Sequence, residues 1–471
     1  MESIASRIGY LRAQAARPVA RAGGRTGVLA VALILAGGIA GPARAADLGG
    51  ACCLDLEERI AELEAMDARK GGRKVSLTVS GLVSWPIMVW DDGQQTGAYI
   101  VTNDVKRPRL RFDGAGKIDD RRSAGYVLEI GPQPPPGIYP MDQHAFIAAT
   151  GFQEVRMSYF WMKDAQLGQV SLGLQSQATD NATEVTLANT GMVVTPGLPL
   201  MLGYVKRGFL MRRDDGVLTT MRFGDLLLKG RTDIWGEGHR WNVVRYDTPV
   251  IGGFSFAVSW GEDNAKDAAL RYAGDWGRLR VSSAIGVAKY TDGDSPNIRG
   301  CAFINARNDV DCWEVGGSVA LMDMPTGLFL NAAAGYGKDE NVHALYNHAP
   351  GVDDDETFYY LVGGIERQWL DIGKTTLFGQ YWHKNVGAGV LWSGVKVDAT
   401  PLGAQPYVSG ADVTIYGASI VQSLADGVDV YASLNRTETE VRTSATGGKA
   451  GSVVTGIQPF DFVFGGLAIR F

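Results

Sequence analysis

The amino-acid sequence predicts an all-β fold: a closed antiparallel transmembrane β-barrel of about 16 strands with a short N-terminal periplasmic helix ahead of it. Three observations predict it. From Val75 onward the chain runs in segments of roughly ten residues with alternating side-chain character and no helical period. Through most of the chain the connections between these segments alternate short and long, with the outer loops 91–96 and 263–266 as short exceptions, as they do when tight turns occupy one rim of a barrel and long loops the other. The only long apolar run, Val28 to Ala40, is 13 residues, too short for a bilayer-spanning helix, which needs about 20.

The chain has 471 residues, 45% hydrophobic and 20% charged, which excludes disorder throughout. A formal charge of −6 without a basic block argues against a nucleic-acid partner. Arg7, Arg12, Arg17, Arg21 and Arg25 precede the apolar run, Gly41-Pro42 ends it, and Ala43-Arg44-Ala45 comes after. A charged region, an apolar region and a small-residue cleavage site in that order read as a secretory signal peptide over 1–45. Residues 46–74 then form a periplasmic segment. Within it Cys53, Leu56, Ile60 and Leu63 recur at spacings of three and four, the seam of a short coiled coil between subunits or the face of a solvated linker helix.

The barrel occupies 75–471. Its sixteen segments are 75–90, 97–115, 121–131, 154–163, 167–176, 240–248, 254–262, 267–275, 279–291, 313–323, 327–338, 357–369, 374–385, 413–424, 428–440 and 461–471. Leu279, Val281, Ile285 and Val287 alternate with Arg280, Ser282, Ala284 and Gly286, which suits a strand with lipid on one side and water on the other. Closure leaves no unpaired edge in hydrocarbon, and sixteen strands enclose a water-filled channel. Leu202 to Arg213 and Leu218 to Leu228 could be two further strands, but counting them in the wall breaks the loop alternation, so both fall inside the third outer loop. Trp85, Trp90, Tyr159, Trp161, Tyr246, Trp260, Tyr272, Trp276, Tyr290, Trp369 and Tyr381 sit near strand ends, where aromatic girdles belong.

Arg107, Arg109 and Arg111 are spaced by two, so a strand turns all three to one face, and the cost of charge against lipid makes that face the lumen. Arg156 and Arg245 are neighbours by strand phase. The longest connection, 177–239, carries Asp180, Glu184, Asp214, Asp215, Asp225, Asp233 and Glu237 beside Lys206, Arg207, Arg212 and Arg213. An acidic loop opposite a basic wall would set a transverse field across the pore; the alternative is that these arginines merely solvate the lumen. Export places the chain in an oxidising compartment, and Cys301 and Cys312 share one outer loop, so a disulfide between them is expected. Cys52 and Cys53, being adjacent, either bridge subunits or stay reduced. No phosphate-binding glycine loop, CxxC or catalytic triad signature occurs, and the five histidines stand apart from any nucleophile pattern. His343, His348 and the run Asp353 to Glu356 leave open a divalent-cation site or, more simply, a solvated acidic loop.

Several stretches resemble the general porins of alphaproteobacteria: AlaAspLeuGlyGlyAlaCysCysLeuAspLeuGluGluArg at 46–59, ArgLysValSerLeuThrValSerGly at 73–81, TrpAspAspGly at 90–93, TyrAspThrPro at 246–249 and the terminal GlyLeuAlaIleArgPhe. The resemblance covers nearly the whole mature chain. It implies a homotrimer of sixteen-stranded barrels in the outer membrane of a Gram-negative bacterium, in contact with outer-membrane lipid, passing small hydrophilic solutes and ions by passive diffusion. It implies no enzyme activity, metal or cofactor. In related porins the third loop folds into the channel, which would make 177–239 the constriction. Phe471 is similar to the signal read by the outer-membrane assembly machinery, and the Pro-rich stretch 131–140 would latch a neighbouring subunit. The alternatives are a substrate-specific channel for sugars or anions, and an enzyme on a barrel scaffold.

Overall fold

The computed structural model describes residues 75–101, 103, 105–131, 143, 154–195, 208–227, 236–261, 264–291, 311–342, 352–387, 408–444 and 452–471. The expected signal peptide, the segment 46–74 with its helix, the Pro-rich stretch 132–140 and Cys301 lie outside them.

Strand β1 (Val75–Asp91) begins the wall. The next barrel strand comes in two pieces, β2 (Thr96–Ile100) and β3 (Arg109–Lys117). The wall then continues with β4 (Arg122–Gly131), β5 (Glu154–Asp164) and β6 (Gly168–Ser176). Two short strands, β7 (Leu210–Arg212) and β8 (Leu218–Arg222), pair only with each other and lead into one helical turn, α1 (Phe223–Leu227). The wall resumes with β9 (Arg240–Asp247), β10 (Phe254–Gly261), β11 (Lys266–Trp276), β12 (Leu279–Tyr290), β13 (Cys312–Asp323) and β14 (Leu328–Asp339). It ends with β15 (Asp355–Leu370), β16 (Gly373–Gly387), β17 (Val408–Ala425), β18 (Val428–Ser444) and β19 (Ser452–Arg470).

Each wall strand pairs antiparallel with the next, and β19 returns to β1 from Leu82↔Arg470 to Asp91↔Asp461. With β2 and β3 counted as one, the closed barrel has the expected sixteen strands. The segments read from alternation coincide with these strands to within a few residues, except that the wall strands from β15 onward reach further toward the long-loop rim. Those five run 15 to 19 residues, beyond the roughly 9–11 needed to cross a bilayer, whereas β9 and β10 have 8 each.

Alternation places apolar side chains outward in bands. Val83, Trp85 and Ile87 on β1, Val170 and Leu172 on β6, Phe256, Val258 and Trp260 on β10, and Leu467 and Ile469 on β19 are all exposed, as a lipid-facing surface requires. Phe471 extends the β1 ladder: Gly81 N donates to its carbonyl at 2.8 Å, and Phe471 N donates back at 3.2 Å. Its exposed ring lies over Gly81, where a Cβ would collide with it. At the short rim Gly327 has a φ of 74°, and a Cβ there would strike the Glu366 carbonyl, so this tight turn demands glycine.

Two expectations are corrected. The segment 97–115 is not one strand. Asn103 N still donates to Ser84 O at 3.2 Å, yet Arg109 is already opposite Leu82, so six steps of chain span two of β1. The extra chain turns inward. Pro108 has no N–H for the ladder, and Asn103 is fully buried, its side-chain amide donating to Met192 O and Tyr431 Oη at 2.9 and 3.0 Å. Arg107 therefore sits on this inward bulge, off the strand that carries Arg109 and Arg111. The aromatic assignment also divides. Trp85, Tyr246, Trp260, Trp276, Trp369 and Tyr381 are exposed, but Trp90 and Tyr290 are buried inside the barrel. Strand ends carry inward aromatics wherever loop chain packs beneath them, and sequence position does not separate the two cases.

Candidate functional site: the lumen and its inner loop

The connection after β6 enters the barrel. Its two ends are tied, Gln177 N to His239 O at 2.7 Å and His239 N to Gln177 Oε1 at 3.2 Å. From there the chain runs along the inner wall past one strand after another. Ala178 N donates to Ser259 Oγ on β10 at 3.1 Å, and Thr179 N and Oγ1 both donate to Asp267 on β11, at 2.6 and 2.8 Å. Val185 N donates to Ser318 Oγ on β13, which itself donates to Ala182 O. Asn331 on β14 donates to Thr186, Asn189 N donates to Glu366 on β15 at 2.8 Å, and the Asn189 amide reaches Asp429 on β18 at 3.1 Å. The path ends at Asn103, which binds Met192 O. Polar side chains on inward positions of successive strands make this track possible, since Ser259, Asp267, Ser318 and Glu366 each offer a loop N–H a partner that would otherwise be water.

The return half of the loop is held differently. Phe209, Met211, Met221, Phe223, Leu226 and Leu227 are buried against inward residues of β1 and β16–β19. Phe460 is the centre: its ring lies 4.8 Å from Phe209 and 5.2 Å from Phe223, while Trp90 lies 4.7 Å from Phe209. Phe460, Phe462 and Phe464 alternate along β19 on its inner face, and none is more than 1% exposed. Polar ties also hold the hairpin, Gln143 among them, which donates to Leu210 O at 2.8 Å and accepts from Leu210 N at 3.2 Å. Buried Arg212 Nη2 pairs with Asp92 Oδ2 at 2.8 Å. Burial pushes the Asp92 carboxyl up, but Arg212 and the backbone N–H groups of Gln95 and Gln94 outweigh it and hold it below the usual carboxylate range. Lys384, also buried, pairs with Glu356 at 3.1 Å and donates to Leu226 O at the end of α1 at 3.2 Å.

The opposite wall is basic. Arg109 and Arg111 lie on β3, and Arg111 holds Asp113 at 2.8 Å and Glu129 at 3.5 Å. Arg156 is buried, with Nε 2.7 Å from Glu129. Arg245 pairs with Asp247 at 2.7 Å and donates to the carbonyls of Ser176 and Gln177 at 3.1 and 3.0 Å. Asp180 lies beside this wall: its carbonyl accepts from Arg271 Nη2 at 2.9 Å, and it shares a cavity of about 540 Å³ with Arg111, Tyr159, Arg245, Asp247 and Arg271. Arg271, which donates to Ala178 O at 2.6 Å, and Arg240 belong to the same cluster and were missed in the sequence, as was Glu129. Strand phase could have found Glu129, two residues from inward Val127.

The remaining acidic candidates are distributed. Glu184 lies near Glu237, which is fully buried and accepts from Asn181 N, and from Thr183 N at 2.9 Å. Burial first, then the charges of Glu184 and Asp180, push the Glu237 carboxyl well above its ordinary range. Asp214 and Asp215 sit at the hairpin tip beside β19: Asp214 N donates to Gly456 O at 3.2 Å, and Asp215 pairs with Arg213. Asp233, Lys206 and Arg207 lie outside the described residues. In the acidic outer loop Asp353 pairs with Arg442, Asp354 with Lys338 and Glu356 with Lys384. Among the described residues no three His, Cys, Asp or Glu side chains are grouped to hold a metal ion. Cys312 is buried at the start of β13.

Residues 30–442 match the family model described as Gram-negative porin. No curated protein matches the chain. Among solved structures, the anion-selective porin from Comamonas acidovorans is similar at 16% identity with a TM-score of 0.50, over 84% of this chain and 100% of that one. OmpT of Vibrio cholerae in its trimer form aligns at 13% identity and TM-score 0.48, over 85% of this chain and 100% of that one. Salmonella typhi OmpF in complex with daunomycin aligns at 11% and 0.44, over 84% and 98%.

Proposed function

Because the chain belongs to the Gram-negative porin family, we propose that its inner loop, 177–239, is the constriction of the pore, working against the arginines of β3, β5, β9 and β11. The protein is an outer-membrane porin, a passive diffusion channel rather than an enzyme. Its barrel is wide enough that some element inside must set the size limit. The observation that carries the proposal is the polar track from Ala178 to Met192, which keeps the first stretch of the loop on the inner wall and brings Asp180 into one cavity with Arg111, Arg245 and Arg271.

The finer assignments belong to the same reading. Arg107, Arg109, Arg111, Arg156 and Arg245 form the positive side and Asp180 the facing negative one, with Glu184 behind it. The chain is an alphaproteobacterial general porin, exported by the signal peptide 1–45, recognised for assembly through Phe471 and working as a homotrimer with small hydrophilic solutes as cargo. Cys301 and Cys312 close an outer loop. A planar-bilayer recording of protein lacking residues 209–226 tests the constriction: single-channel conductance and the solute size limit should both rise. Unchanged values would assign the constriction to another loop.

A further inference from the structure

Among the described residues, cations outnumber acids where β3–β5 meet the start of β9. Glu129 is shared by Arg111 and Arg156, at 3.5 and 2.7 Å. Arg109 and Arg240 have no carboxylate within ion-pair distance among the described residues, and the Arg240 charge acts on both Arg109 and Arg156. Arg107 acts on Arg156 as well. Arg156 is only 5% exposed and its Nη1 has no hydrogen-bond partner, an outcome native interiors usually avoid. Lys106, Arg109 and Arg111 line a half-open cavity of about 470 Å³ together with Thr186, Asn189 and Met192 of the inner loop.

Guanidiniums approaching from several strands cannot be satisfied by one planar carboxylate. A tetrahedral oxyanion presents acceptors in several directions at once and carries enough charge to offset their repulsion. We propose that this cluster is an oxyanion-binding station beside the permeation path, taking dianions of the phosphate class. Arg109 and Arg156 are its principal donors, and Glu129 holds Arg111 and Arg156 in place. The proposal rests on reading this face as the conducting side of the lumen. A monovalent anion such as chloride, offering one acceptor centre, passes the station, whereas a dianion dwells there and delays the ions behind it.

The test is the chloride current of the full-length protein in a planar bilayer at pH 8, with inorganic phosphate added at constant chloride. The station predicts a saturable block. Arg109→Gln and Arg156→Gln should each raise the half-blocking phosphate concentration about tenfold, the loss of one charge-assisted hydrogen bond. Should Arg156→Gln fail to fold because Glu129 loses its closest partner, Arg109→Gln carries the test, since Glu129 keeps its contacts with Arg111 and Arg156 in that variant. A current without saturable block, or a half-blocking concentration unchanged in Arg109→Gln, overturns the station. Failure of the pore reading looks different: the wild-type protein would show no conductance steps before phosphate is added.

Discussion

The two inner walls of this barrel face one another and are built on opposite principles. The tall wall, β15–β19 with β1, presents Phe358, Phe378, Trp382, Phe460, Phe462 and Phe464 to the interior and is covered by the β7–β8 hairpin and α1. The lower wall, β3–β6 with β9–β11, presents arginines and carboxylates and borders a cavity of about 540 Å³. A lumen-facing apolar surface costs free energy in water, so the hairpin settles where that surface is. The basic wall offers mainly charged side chains, with Val127 and Val243 between them, and on the proposed reading it borders the permeation path. The loop is thus one connection with two kinds of attachment: packing for 208–227 and a file of hydrogen bonds for 177–192. Packing secures position by burying area, while the polar file secures position and field together at little net energy per bond.

The difference can be broken most forcefully at Phe460. Phe460→Ala should cost about 3–5 kcal/mol, the range for truncating a large buried aromatic. It should free the hairpin, seen as protease cleavage within 208–227 and unstable conductance levels in single-channel records; a protected hairpin with wild-type levels would mean packing is not what holds it. Asn189→Ala, on the polar half, should cost less, about 1–3 kcal/mol, since it leaves buried Asp429 without one donor. Thermal unfolding in detergent measures this, and a loss as large as that of Phe460→Ala would erase the distinction between the two attachments.

The barrel was legible because two-residue alternation and loop lengths are local properties of the chain. Each wall strand could be recognised without knowing its partner. The break at 101–108 was not legible, since Asn103 leaves the wall to meet Met192 and Tyr431, residues far along the chain. The same holds for Trp90, whose inward packing depends on Phe209 and Phe460. Among site residues, Arg109 and Arg111 could be read from spacing. Arg271 was open to the same reading, being in phase with buried Asp267 and Ala269 on β11, whereas Asp214 and Asp215 take their place at the hairpin tip from where the hairpin packs. Charge in a loop says little about which wall the loop lies on.

A smaller effect sharpens the polar half. Glu237 titrates higher in the folded protein than in the unfolded chain, so the fold favours its neutral form. Its contribution is therefore complete below the ordinary glutamate range and is lost as pH rises through the raised value. Hydrogen exchange of Asn181 and Thr183 amides should be slower at pH 5 than at pH 8, beyond the intrinsic pH dependence, and in Glu237→Gln that excess should vanish. An equal excess in the variant would place the titrating group elsewhere.

The most direct test of the central claim, that the basic wall facing the inner loop governs ion passage, is the reversal potential of Arg109→Ser/Arg111→Ser in a potassium chloride gradient. Exposed and half-buried ion pairs in a wet lumen contribute roughly 0–1 kcal/mol each, so thermal unfolding should barely move. The reversal potential should shift toward cation preference, because two positive charges leave the narrow region while Asp113, Glu129 and Asp180 remain. A reversal potential and conductance both at wild-type values would contradict the account.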